Sequence, residues 1–177
     1  MGIRDRYLPM QGLQNLREVI ARFISTKKKY EYKSENIIIG PGTKELMFLL
    51  QILFDGEILL PAPSWVSYHP QATLSRNQVH WIQTKRENNW FPTAEELEKK
   101  IKSIGKKKNL IFIINSPNNP SGTVCRNLKE IAKIAKKYRL IILSDEIYTD
   151  LTFNNNYESI SRYYSDFTLL SGGLSKW

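Results

Sequence analysis

Cysteine and histidine are almost missing from this chain: its 177 residues include one cysteine, Cys125, and two histidines, His69 and His80. A single cysteine excludes an internal disulfide framework and suits a reducing cytoplasm. With so few sulfur and imidazole ligands there is no zinc-finger spacing and no His cluster to hold a metal. Long apolar runs are lacking too. The longest, residues 46–54, is interrupted by Gln51 and is far too short to span a bilayer. The opening Met1-Gly2-Ile3-Arg4-Asp5-Arg6 has no apolar leader core, and Arg6 stands where a myristoylation signal needs Ser or Thr. Acidic residues are the scarcer charge, 17 against 26 Lys and Arg, for a formal charge of +9. Part of the excess lies in Lys27-Lys28-Lys29 and Lys106-Lys107-Lys108. Neither run is interleaved with aromatics and no RNA-binding motif accompanies them, so they read as solvated lysines, with neither nucleic acid nor membrane as partner.

What is present is the composition of a globular domain, 41% hydrophobic and 24% charged, in a chain long enough to bury a core. From residue 37 onward short apolar runs alternate with helical patterns. The apolar runs predict strands at 37–39, 57–60, 78–83, 110–115, 140–144 and 167–171. Helices are predicted at 44–53, 66–74, 94–104 and 128–138. Thr93 with Glu96 forms a capping box, and Asn127 with Glu130 is a close relative of one. Nearly continuous apolar strands separated by helices imply an α/β fold, a mainly parallel open sheet with helices on both faces. Ahead of it, Tyr7-Leu8-Pro9-Met10-Gln11-Gly12 reads as a turn. An amphipathic helix over about 13–26 follows, with Leu16, Val19, Ile20 and Phe23 on one side. The chain therefore divides into an N-terminal turn and helix, residues 1–36, and an α/β portion, residues 37–177. Asn154-Asn155-Asn156 reads as a loop tip within the latter.

Ligands of open α/β sheets bind at the carboxyl ends of the strands, and four polar clusters fall there. Gly40-Pro41-Gly42-Thr43-Lys44-Glu45 is neither a Walker loop nor a dinucleotide fingerprint. Its free N–H groups and hydroxyl at a helix start suit one phosphate as well as they suit a plain turn. In Asn115-Ser116-Pro117-Asn118-Asn119-Pro120-Ser121-Gly122 the prolines and glycine stiffen a loop that can aim an amide. Asp145 ends an apolar strand, where a carboxylate is costly to bury unless a cation or hydrogen-bond donor meets it. It could be a metal ligand, a base or the partner of a protonated heterocycle. Glu146 beside it reads as an exposed turn carboxylate, and Tyr148 by itself as a packing aromatic. Lys176, in Ser171-Gly172-Gly173-Leu174-Ser175-Lys176-Trp177, could be a nucleophilic amine made reactive by desolvation.

As an ordered set these clusters resemble the pyridoxal-phosphate enzymes of aminotransferase class I/II, the fold-type-I family, over nearly the whole chain. The resemblance implies that Lys176 holds the cofactor and later moves the proton at the substrate Cα. It implies that Asp145 pairs with the pyridine nitrogen, which keeps the electron-sink form protonated. Asn119 and Tyr148 match the groups that hydrogen-bond the ring hydroxyl, and Trp65 the aromatic that stacks on the ring. Gly42 and Thr43 match the phosphate turn, with Lys44 as a neighbour. Tyr7 resembles the tyrosine that reaches the partner subunit's phosphate in a homodimer. Gly173 departs from the family's phosphate-binding serine, for which Ser171 or Ser175 could compensate. The arginines that would grip the phosphate and the substrate carboxylate lie beyond Trp177, so the chain reads as the front part of a large domain with little turnover of its own. The resemblance implies a cytoplasmic enzyme that moves an amino group between an amino acid and a 2-oxo acid. A carbon–sulfur lyase of the same fold and a non-catalytic remnant are the alternatives.

Overall fold

Apolar alternation along the later two-thirds of the chain is realised as five parallel strands in a computed structural model, which describes residues 7–28, 30–105, 108–153 and 157–176. Outside that range lie the six N-terminal residues, Lys29, Lys106 and Lys107 of the basic runs, the Asn154-Asn155-Asn156 loop tip and Trp177. The chain falls into two compact units, Met1–Gly42 and Thr43–Trp177.

In the first unit α1 (Gln14–Lys28) carries Lys27 and Lys28 in its last turn, where cations complement the helix dipole. This unit is organised around a buried arginine. Arg17 donates to the carbonyls of Gly12 and Ser34, at 3.2 and 2.9 Å, and to Gln11 Oε1 at 3.0 Å. The expected apolar stripe stays largely at the surface, with Leu16, Val19 and Phe23 all exposed. The strand expected at 37–39 does not form. Ile39 N–H donates to the Gln11 carbonyl at 2.9 Å, Ile38 is exposed, and the segment runs extended outside the sheet. A β-branched run reads as a strand from sequence but needs a sheet edge to join.

The second unit is the α/β sheet: α2 (Thr43–Leu53), β1 (Glu57–Ala62), α3 (Tyr68–Leu74), β2 (Val79–Gln83), α4 (Ala94–Ile104), β3 (Leu110–Asn115), α5 (Leu128–Tyr138), β4 (Ile141–Asp145) and β5 (Thr168–Ser171). The strand order is β2-β1-β3-β4-β5 and every pairing is parallel. Strand alternation divides the core into two layers. Ile58, Leu60, Ile111, Ile113 and Leu143 pack with Met47 of α2 and with Tyr68 and Ala72 of α3. Leu59, Phe112, Ile114 and Ile142 pack with Leu97 and Ile101 of α4 and Leu128, Ile131 and Ala135 of α5. Each fully buried Leu, Ile or Phe contributes roughly 1.5–3 kcal/mol, so the helices are held on both faces mainly by this apolar burial.

Caps set two of the helix starts differently from each other. Thr93 Oγ1 accepts from Glu96 N–H at 3.1 Å and Glu96 Oε2 accepts from Thr93 N–H at 2.8 Å, a complete box that starts α4. Asn127 makes no side-chain cap at α5. Its amide donates instead to the Pro92 carbonyl at 2.9 Å, tying the α5 entry to the loop before α4. α3 starts at Tyr68, two residues later than expected, because residues 65–67 form a turn closed by Tyr68 N–H to the Trp65 carbonyl. No helix among the described residues is long and apolar enough to cross a membrane.

Candidate active site

Parallel register brings three strand ends into one row: Asn115 of β3 lies beside Asp145 of β4, and Asp145 beside Ser171 of β5. Alternation turns Asp145 toward the face covered by α2 and α3, the face that also holds Ile141 and Leu143. There Asp145 is buried, with 4% of its surface exposed. Tyr68 Oη donates to its Oδ2 at 2.6 Å, and Ile147 N–H to its Oδ1 at 3.3 Å. Among the described residues no cation pairs with it. Burial therefore pushes the Asp145 carboxyl up to about 6, helped by the charge of Glu146 and opposed by the two hydrogen bonds. The Tyr68 phenol is driven above its ordinary range, chiefly by burial and then by the Asp145 charge. Tyr68 thus remains a donor at any physiological pH.

The loop after β3 is stiffened by its own hydrogen bonds. Asn115 uses both ends of its amide, donating to the Asp145 carbonyl at 2.9 Å and accepting from Asn119 N–H at 2.7 Å. Gly122, at φ +68, closes the loop with its N–H on the Asn118 carbonyl at 2.8 Å, a conformation that favours glycine. The Asn119 amide so placed donates to Tyr148 Oη at 3.3 Å. On the other side of Asp145, Trp65 packs edge-on against Tyr68 with ring centroids 5.2 Å apart. Lys44 Nζ lies 5.5 Å from the centre of the Trp65 ring. A methyl group at Gly173 would come within 3.1 Å of Ile147 Cδ1 and 3.6 Å of Thr43 Cγ2. The segment after β5 therefore passes close to both the start of α2 and the turn after β4, and a larger residue at 173 would push them apart.

Seven of the residues singled out from sequence, or their immediate neighbours, are linked in this way. Asp145, Tyr148 and Asn119 surround the ends of β3 and β4; Trp65 and Lys44 join them through Tyr68; Thr43 meets Gly173, three residues before Lys176. Lys176 itself lies in an exposed 3-10 turn, Leu174–Lys176. Tyr7 is fully exposed, and Gly42 closes the first unit.

Glu146 corrects the sequence reading. Expected as an exposed turn carboxylate, it is buried, with 6% of its surface exposed, and accepts from Ser144 Oγ at 2.9 Å and Ser159 Oγ at 2.6 Å. Tyr68 escaped notice, and Asn115 was read only as part of its loop. Tyr68 sits three residues after Trp65, and that aromatic pair at one-turn spacing was the available signal. Asn115, a polar residue ending a wholly buried strand, offered a similar one.

Comparison with known proteins places these features in context. The model of the family described as aminotransferase class I and II matches residues 1–177. The aspartate aminotransferase of Bacillus sp. (strain YM-2) is 36% identical, the match covering 97% of this chain and 45% of that protein. The aspartate aminotransferase of Thermotoga maritima is 34% identical, over 88% of this chain and 41% of its own length. Among solved structures, the aspartate aminotransferase from Thermus thermophilus with maleate superposes with a TM-score of 0.88 at 28% identity, covering 97% of this chain and 45% of that one. The aromatic aminotransferase from Pyrococcus horikoshii OT3 gives 0.83 at 32% identity, covering 97% and 47%. The chain thus spans a little under half the length of the relatives it matches.

Proposed function

The chain belongs to the aminotransferase class I and II family, and on that premise we propose that it forms the cofactor-binding part of a pyridoxal 5′-phosphate-dependent aminotransferase. The observation that carries the reading is the buried Asp145 with its Tyr68 donor at the carboxyl edge of the sheet, beside the Asn119–Tyr148 pair. The residues fit the cofactor. Asp145 offers a carboxylate of raised proton affinity and no cation of its own among the described residues, the complement of a protonated ring nitrogen. Asn119 and Tyr148 offer adjacent polar groups for the ring hydroxyl. Trp65 offers an aromatic face, and Gly42, Thr43 and Lys44 a helix start suited to a phosphate.

When bound, the cofactor supplies an electron sink for the bond broken at the substrate Cα. The chain's own residues do the rest. Asp145 holds the proton on the ring nitrogen, and Tyr68 holds Asp145. Lys176 would hold the cofactor through its aldehyde carbon and would carry the proton at the substrate Cα. Asn119 and Tyr148 set the basicity at the ring hydroxyl. Tyr7 serves the phosphate of the partner subunit in a homodimer. The substrates are an amino acid and a 2-oxo acid. The curated relatives named above are aspartate aminotransferases, which makes aspartate the first amino acid to test and leaves the lyase alternative without support.

Adding pyridoxal 5′-phosphate to the chain should produce a visible absorption band that Lys176→Ala abolishes. A band unchanged in that variant would remove Lys176 from its role, and no band in the parent chain would remove the cofactor.

A further inference from the structure

Glu146 has no part in the cofactor chemistry above, yet both its side chain and its main chain are hydrogen-bonded at the exit of β4. Asp145 and Glu146 are adjacent, so alternation sends their side chains to opposite faces of the sheet. Asp145 points to the α2/α3 face and the site. Glu146 turns to the face that carries Ile142 and Ile160, where Ser144 and Ser159 both donate to its Oε1 at 2.9 and 2.6 Å. Ser159 is in turn 2.8 Å from Ser161, and all four residues are buried. The main chain of Glu146 makes two further links. Its N–H donates to the Ser171 carbonyl at 2.8 Å, and its carbonyl accepts from Thr149 N–H at 3.2 Å. One residue thus ties together the end of β4, the end of β5 that leads to Gly173 and Lys176, the turn that carries Tyr148, and the segment around Ser159.

A carboxylate taken out of water at this position is costly unless donors meet it, and two serine hydroxyls meet Oε1. An apolar side chain would fill the same space at lower cost, as Ile142 and Ile160 do nearby. We infer that Glu146 is a positioning residue: its clamp on Ser144 and Ser159 fixes the β4 exit so that Asp145 stays buried against Tyr68 and Tyr148 stays in reach of Asn119. The inference rests on the cofactor reading only for its functional consequence; the clamp itself concerns the chain without cofactor. Its charge also faces Asp145 from behind and adds to the elevation of the Asp145 carboxyl, for which Tyr68 is the opposing hydrogen-bond donor.

The test is the titration of Asp145 in the cofactor-free chain, followed by carbon-13 NMR of its carboxyl. Glu146→Gln keeps an acceptor for both hydroxyls and loses only the charge, so the Asp145 midpoint should fall slightly from about 6. Glu146→Ala loses the clamp as well. Water should then reach Asp145 and bring its midpoint most of the way to the ordinary value of about 4. Ser159→Ala, which keeps the charge and removes one leg of the clamp, should fall between the parent chain and Glu146→Ala, and serves if that variant does not fold. Equal midpoints in the parent chain and Ser159→Ala, or in Glu146→Gln and Glu146→Ala, would overturn the positioning role. Absence of the cofactor band in the parent chain would sink the proposed function and leave this result standing.

Discussion

The sheet buries a carboxylate at each end, and the two are treated in opposite ways. At the amino edge Glu57 opens β1, 5% exposed, with Lys108 Nζ at 2.6 Å from one oxygen and His80 Nε2 at 2.7 Å from the other. At the carboxyl edge Asp145 closes β4, 4% exposed, with a phenol and an amide N–H as its partners. Both are shut off from solvent, but Asp145 lies deep and Glu57 close beneath the surface, and the pKa directions are opposed. The Lys108 hydrogen bond holds Glu57 below the usual carboxylate range, while burial lifts Asp145 to about 6. The amino edge is neutralised by the Lys108 ammonium, and the contacts of Glu57 with Lys108 and His80 serve to staple β1, β2 and the start of β3. The carboxyl edge leaves negative charge concentrated where a cationic ligand atom can meet it, at a cost in stability. Such pairs of environments mark function more reliably than burial alone.

The comparison breaks first at Asp145. Its carboxyl keeps a proton up to about pH 6 when folded, against an ordinary value of 3.8, so folding takes up a proton between those values. The stabilising contribution is therefore full below about pH 4 and is lost as the pH rises through about 6. Two units correspond to about 2–3 kcal/mol. Asp145→Asn removes the charge, so at pH 7 the cofactor-free variant should melt roughly 5–10 °C higher than the parent chain. At pH 4 the two should melt alike, and the variant should bind pyridoxal 5′-phosphate far more weakly. A variant less stable than its parent at both pH values would show that Asp145 is a structural group like Glu57.

Tyr68 gives the next largest effect. It supplies the one side-chain donor that Asp145 has among the described residues, and a buried carboxylate that loses such a donor costs about 2 kcal/mol. Tyr68→Phe should therefore lower stability at pH 7 and lose less at pH 4, where Asp145 is protonated. The Asp145 midpoint should move above 6, since that hydrogen bond lowers it. An unmoved midpoint in the NMR titration would detach Tyr68 from the site.

The same contrast explains what could be read from the sequence. Five helices and five strands were legible, the helices from apolar residues at helical spacing and the strands from short, nearly continuous apolar runs, and most of those residues form the two core layers. The run 37–39 misled because an apolar triplet carries no information about whether a neighbouring strand exists. Asp145 was legible because a charge at the end of an apolar strand violates the local pattern. Its neighbour Glu146 violates it equally and was misjudged, because its partners Ser144 and Ser159 are ordinary serines that become a clamp only once the chain has folded. Tyr68 was hidden for the same reason: its partner stands 77 positions away. Asn127 carried a cap signal and spends its amide on Pro92, a tertiary contact that no local pattern announces.

The smallest effect belongs to the amino edge, and it separates the two edges by sign. Lys108 is more than half exposed, so solvent screens its pairing with Glu57 and the pair contributes little. Glu57→Gln should cost that little at pH 7, without any change in cofactor binding. Because Glu57 titrates below its ordinary value of 4.5 in the folded chain, its contribution is present above that value and is lost as the pH falls through the folded one. The deficit of Glu57→Gln should accordingly close as the pH falls below about 4.5, whereas the gain of Asp145→Asn opens as the pH rises from 4 to 6. Melting curves of both variants over that range would therefore cross the parent curve's trend in opposite directions. A Glu57→Gln deficit that stays constant as the pH falls well below 4.5 would mean that geometry rather than charge holds the amino edge, and the contrast between the two carboxylates would then rest on Asp145 alone.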